Sequence, residues 1–155
     1  MKTAHRKQSK FKRDPRAMER AFGRVGPFLQ AEVTNLLIPT RIAFEAFRTG
    51  QATVDDFATL VDTANITLVR SESVDQRCVE ACDAATAALK RVQARQRATG
   101  RWGMDGPAFL ELGVMIDLYD QFIANSSPQQ MKAVLEEVHR REEKQRREEA
   151  AGATA

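Results

Sequence analysis

Helix-period runs of apolar residues, each bracketed by a residue that starts or stops a helix, constrain this 155-residue chain more than any other feature. Apolar positions recur at i, i+3 and i+4, the spacing that lines up one face of an α-helix, and no stretch of useful length alternates as a half-buried strand does. The punctuation is chemical. Gly26-Pro27, Thr49-Gly50, Gly100 and Gly106-Pro107 break or close the runs, while Asp14, Thr53, Ser73 and Ser127 stand where side-chain oxygens cap unpaired N–H groups. The pattern predicts an all-α fold, a compact bundle of five to six helices.

Taken in order, Asp14-Pro15 starts a short helix through about Val25, with Ala17, Met18, Ala21, Phe22 and Val25 as its stripe. Helical periodicity resumes from Phe28 to Arg48. Pro39 removes a backbone donor there, so either a new helix starts after a break near Leu37-Ile38 or one long helix is kinked; the break is the favoured reading, with the longer helix starting at about Pro39 and burying Ile42, Ala43, Ala46 and Phe47. Thr53 caps a helix to about Arg70 with Phe57, Leu60, Val61, Ala64 and Leu68 inward, and Asp55 and Asp56 suit its positive end. Ser73 is read as the cap of a long helix over Val74 to Thr99, with Val74, Cys78, Ala81, Cys82, Ala85, Leu89 and Val92 as its stripe. Its small residues favour close approach of a neighbour, so a homodimer through this helix is a possible arrangement.

The run from Ala108 to Ala124 is apolar almost all the way round, which marks it as the buried central helix. Ser127-Pro128-Gln129-Gln130 is a capping box that opens the last helix, with Met131, Val134, Leu135 and Val138 as its packed face. Beyond His139 the apolar face ends, and Glu136–Arg140, Glu137–Arg141, Glu142–Arg146 and Glu143–Arg147 stand four apart, as in a solvated helix that frays through Gly152. Residues 1–13 therefore read as a flexible basic arm, 14–139 as the helical domain, and 140–155 as a charged C-terminal helical extension and tail.

Charge is segregated along the chain. Residues 1–24 hold nine Lys and Arg against two acids, a net +7, whereas the rest holds 15 bases and 19 acids, a net −4. A concentrated positive segment attracts phosphates or acidic protein surfaces through its summed field. The arm's Lys2, Arg6, Lys7, Lys10, Lys12 and Arg13, followed by Arg16, Arg20 and Arg24, are candidate contacts to nucleic acid or to an acidic host protein, with Phe11 as a stacking group. The alternative is an arm that aids solubility or lies on the body's own acids. A second acid-free cluster, Lys90, Arg91, Arg95, Arg97 and Arg101, extends that surface or simply suits a helix C-terminus. Trp102 beside it is either a plug over the core or an exposed contact.

Other classes are disfavoured by what the sequence lacks. No run approaches the roughly 18 apolar residues of a membrane span, and no apolar segment follows the basic N-terminus as in a secretory signal. Cys78 and Cys82 sit four apart on one helix face, a geometry poor for a disulfide, and read as small buried thiols without a metal. Asp117 and Asp120 lack a catalytic companion and read as a solvated strip or a partner for an Arg. No phosphate loop, nucleophile elbow or zinc spacing occurs, so neither catalysis nor a cofactor is expected, and a cytoplasmic protein is.

Arg48-Thr49-Gly50 with Asp55-Asp56, then Thr99-Gly100-Arg101-Trp102-Gly103, Leu118-Tyr119-Asp120 and a terminal helix ending in basic residues form a recognisable order. Over residues 36–141 it resembles a family of small, uncharacterised helical proteins of bacteriophages and prophages of proteobacteria. The resemblance implies a phage-type accessory protein in a bacterial host, acting on nucleic acid or on a host factor, and supplies no catalytic or binding residues.

Overall fold

The computed structural model of the protein describes Phe28 and residues 30–153. Over these it forms five helices: α1 (Gln30–Arg48), α2 (Val54–Ser71), α3 (Gln76–Thr99), α4 (Gly106–Asn125) and α5 (Pro128–Gly152). No strand occurs among the described residues. The fold is the all-α bundle that the periodicity implies. The helix expected over Asp14–Val25 lies outside the described residues.

The caps decide the boundaries. Thr53 accepts a hydrogen bond from the Asp56 N–H at 3.4 Å while the Asp56 carboxylate accepts from the Thr53 N–H at 2.8 Å. Ser127 and Gln130 form the same reciprocal pair at the start of α5. Gly50, at φ 69°, closes α1: its N–H donates to the Phe47 carbonyl and the Gln51 N–H to that of Ala46. A side chain is disfavoured in that left-handed conformation, so glycine suits the position. Gly100, at φ 71°, closes α3 with a single bond, its N–H donating to the Gln96 carbonyl.

Three expectations about the helices are corrected. First, α1 runs without a break through Pro39. The proline ring withholds an N–H from the Asn35 carbonyl, but Asn35 is exposed, where a missing backbone donor costs less than it does in a core. Second, α3 begins at Gln76 with Asp75, not Ser73, as its cap: the Asp75 side chain accepts from the Arg77 N–H at 2.7 Å. Ser73 instead donates to the Arg70 carbonyl, and Val74 stays 51% exposed. Third, the central helix is α2, which packs on all four others. The apolar α4 is buried on one side only, through Ala108, Leu112, Met115, Ile116, Tyr119, Phe122 and Ile123.

Why α2 takes the centre is visible in its hydroxyls. Thr59, Thr63, Thr67 and Ser71 each donate to the carbonyl four residues back, at 2.9, 2.8, 2.7 and 2.7 Å. Satisfied that way, Thr63, Thr67 and Ser71 are buried without loss of a hydrogen bond, and their small size lets neighbouring helices close in.

Two cores result. The first joins Ala43 and Phe47 of α1, Leu60 and Ala64 of α2, Cys82, Ala85, Ala88, Leu89 and Val92 of α3, and Leu112, Met115 and Ile116 of α4. The second joins Leu36, Ile66, Tyr119 and Ile123 to Met131, Val134 and Val138 of α5, with Phe28 packed at its edge. Each large side chain fully removed from water contributes about 1.5–3 kcal/mol. The small face of α3 is thus occupied inside the bundle. Arg70 ties the far end together: it donates to Ser126 at 3.0 Å and to Ser73 at 2.7 Å, and its guanidinium lies 5.6 Å from the Phe122 ring centre.

The last helix is longer than its packed face. It continues through Gly152, and Arg141 reaches back to Glu72, donating at 2.8 and 2.7 Å. Of the four ion pairs expected there, Glu137–Arg141 and Glu143–Arg147 form, and Lys132 takes Glu136 while Glu137 also holds Arg140. Among the described residues, no helix is long and apolar enough to cross a membrane.

Candidate partner-binding surface

Helix α3 is polarised along its outer face. Its first half exposes Glu80 and Asp83, and its last turns expose Lys90, Arg91, Arg95 and Arg97 around the exposed Ala94. Helical spacing puts Lys90 and Arg97 on one flank of Ala94 and Arg91 and Arg95 on the other. Arg101 follows directly after Gly100 turns the chain. The C-terminal carbonyls of α3 favour cations at this end, and the cations in turn present a positive surface to solvent.

The cluster is not uniformly free. Arg91 donates to Glu111 of α4, so one of its charges is neutralised at the seam between the two helices. Arg95 lies beside the glycine turn, where a Cβ on Gly103 would stand 3.9 Å from its Nε. Among the described residues, no acid pairs with Lys90, Arg95, Arg97 or Arg101. These four are available anion contacts at this end of the helical body.

Trp102 is a plug. Its indole stacks on Phe57 with centroids 4.8 Å apart and meets the Phe47 ring edge-on at 6.2 Å, half-buried over the first core. The ring face turned to Phe57 is therefore closed to a base, and of the two alternatives for Trp102 this packing favours the plug. The candidates Lys2, Arg6, Lys7, Lys10, Phe11, Lys12, Arg13, Arg16, Arg20 and Arg24 all lie outside the described residues.

Asp120 is half-buried and accepts from Arg41 of α1, and Asp117 is exposed: the pair is split between a strut and a solvated strip. Cys82 is buried and Cys78 half-buried, both free. Burial pushes the Cys82 thiol pKa up, opposed by its hydrogen bond with Ser71. Among the described residues, no group of three or more His, Cys, Asp or Glu is placed to hold a metal ion.

One feature escaped the periodicity. Ile42 of α1 and Leu110 and Val114 of α4, which it counts toward core stripes, are 53%, 71% and 52% exposed. On α4, Leu110 and Val114 lie one turn apart on the outer strip, opposite Leu112 and Met115. On α1, Ile42 lies on a face with Leu37, Ile38 and Arg41 that surrounds a hollow of about 500 Å³. The ring of Phe44 stacks on Phe109 at 4.5 Å between α1 and α4, so these helices are held together by other residues.

No protein-family model, curated protein or solved structure matches the chain.

Proposed function

We propose that this protein is a non-enzymatic accessory protein that binds nucleic acid through its basic N-terminal segment, helped by the end of α3. The observation that carries the reading is the unpaired state of Lys90, Arg95, Arg97 and Arg101 at one end of the helical body, in a chain that concentrates a net +7 in its first 24 residues. Neutralising phosphates releases their condensed counterions, a sequence-independent term that falls steeply with salt. The phage-type setting implied by the resemblance, in the cytoplasm of a bacterial host, suits a small basic binder of this kind.

The exposed Leu110 and Val114 favour a second reading, a protein-binding inhibitor or adaptor whose apolar strip meets a host protein. The two separate in one experiment. Replacing Lys90, Arg95, Arg97 and Arg101 by Ala weakens binding to random-sequence duplex DNA at low salt if the first reading holds. Capture of a host protein that resists nuclease, and is lost in Leu110→Asp, supports the second.

A further inference from the structure

We infer that Arg70, in the last turn of α2, is the centre of an oxyanion site, and that the hollow beside it takes the phosphoryl group of free phosphate or of a small phosphate monoester. The site is separate from the basic end of α3 and does not rest on the nucleic-acid reading.

The guanidinium is held but not neutralised. Its Nε donates to the buried Ser126 at 3.0 Å and an Nη to Ser73 at 2.7 Å, and its carbon lies 5.6 Å from the Phe122 ring centre. Ser73 in turn donates to the Arg70 carbonyl at 2.9 Å, so that hydroxyl is fixed from both sides. Two hydroxyls and a ring orient the cation without cancelling its charge. Among the described residues no carboxylate pairs with Arg70, and the acids of the adjoining turns are committed elsewhere. Glu72 holds Arg141, Glu137 holds Arg140 and Arg141, Glu136 holds Lys132, and Asp75 caps α3. Of the five N–H groups of a guanidinium, Ser126 and Ser73 take two, and the other three are left for a ligand. A half-buried guanidinium in this state suits an acceptor with several oxygens, a carboxylate or a phosphate.

The space beside it fits one. A hollow of about 280 Å³ is lined by Arg70, Ser73 and Gln130 on its polar side and by Val69, Ala133 and Val134 on its apolar side. The Gln130 Oε1 accepts from the Ser127 N–H at 2.9 Å, which leaves the NH2 half of that amide as a further donor. Among the described residues no acid lines the hollow, and its apolar side reduces the water that would screen the charge. The volume lies just under the roughly 300 Å³ at which pockets for drug-sized ligands begin, so a phosphoryl group with a short substituent is the match. The donors stand on two walls, Arg70 on α2 and Gln130 on α5. A tetrahedral phosphoryl group offers oxygens to both, whereas a planar carboxylate spends its two on the guanidinium.

The site is also remote from the cluster on α3. Phe57, near the start of α2, stacks on Trp102 beside Arg101. Arg70 follows Phe57 by about 20 Å along the helix, at roughly 1.5 Å per residue. Phosphate bound here is therefore distinguishable from phosphate held by Arg101 and its neighbours.

Titration of the full chain with inorganic phosphate and with glycerol 3-phosphate, followed by backbone amide chemical shifts, tests the site. Saturable shifts are expected at Ser73, Gln130 and Ala133. Binding is expected to weaken by about tenfold or more in Arg70→Gln, the loss expected of charged hydrogen bonds, and to persist when Lys90, Arg95, Arg97 and Arg101 are replaced by Ala. Ala133→Asp places a carboxylate on the wall from an exposed position and leaves Arg70 in place. It is expected to abolish binding with helix content retained, which decides the matter even where Arg70→Gln does not fold. Saturation by both ligands assigns the site to the phosphoryl group itself, and saturation by glycerol 3-phosphate alone assigns it to a monoester. Absence of saturable shifts at these three residues overturns the proposal, as does undiminished binding in Ala133→Asp or equal binding of acetate.

Discussion

The hydroxyl of Thr40 on α1 meets that of Thr63 on α2 at 2.9 Å, with both residues buried. The proton on Thr63 is already committed to the Thr59 carbonyl at 2.8 Å, so Thr40 is the donor and Thr63 the acceptor. A dry polar contact between two helices fixes their relative position, because a slide of either leaves a buried hydroxyl unpaired.

Thr40→Val and Thr63→Val are each expected to destabilise the fold by about 1–2 kcal/mol, and the double variant by distinctly less than their sum. Urea unfolding of the four proteins measures the coupling. Additive costs would show that the contact does not form.

Trp102→Ala is expected to cost about 2–3 kcal/mol, since the indole fills the space over Phe57 and Phe47. It is the chain's single tryptophan, so its fluorescence reports the plug directly. Emission is expected to be blue-shifted in the folded protein and unmoved by added DNA, because the stacked face is occupied. Quenching by DNA would return Trp102 to the binding surface.

The two thiols are expected to react at different rates. Cys82 is buried beside Ser71, with its pKa pushed up by burial, and is inert to a thiol reagent at neutral pH until the protein unfolds. Cys78, half-buried, reacts in the folded state. A thiol whose folded pKa is raised contributes stability that is complete below its unfolded value and is lost as pH rises through the folded one. Stability is therefore expected to fall in alkali from about pH 9, less so in Cys82→Ala.

At the other end of the pH scale, Arg141 of α5 pairs both with Glu72, at the end of α2, and with Glu137 on its own helix. Hydrogen bonds from Arg141 hold the Glu72 carboxyl below the usual range, and those from Arg140 and then Arg141 bring Glu137 down to about 2. A depressed carboxylate contributes stability present above its unfolded pKa and lost as pH falls through the folded one. Thermal midpoints are expected to drop between about pH 4.5 and 2, with a shallower drop in Arg141→Met. Both Glu72 and Arg141 are 42% exposed, so near pH 7 the pair itself contributes no more than about 1 kcal/mol.

The helix ends were legible because caps are local chemistry: Thr53 with Asp56 and Ser127 with Gln130 can be read within four residues. Pro39 misled because a missing donor matters only where water cannot replace it, and the exposure of Asn35 is a tertiary fact. The centre of the bundle was assigned to α4 because apolar count stood in for burial, yet Leu110 and Val114 face solvent. The signal for α2 was present as Thr59, Thr63, Thr67 and Ser71 at intervals of four, polar residues that satisfy themselves and pack like small apolar ones. The basic end of α3 was visible as a cluster, but the pairing of Arg91 with Glu111 joins positions 20 apart and needs the fold.

The most direct test of the central claim is the salt dependence of duplex DNA binding by the full chain. A log–log slope of several is expected, reduced by about one for each of Lys90, Arg95, Arg97 and Arg101 that is replaced by Ala. Absence of binding at low salt, or a slope unchanged in the fourfold variant, would contradict the account.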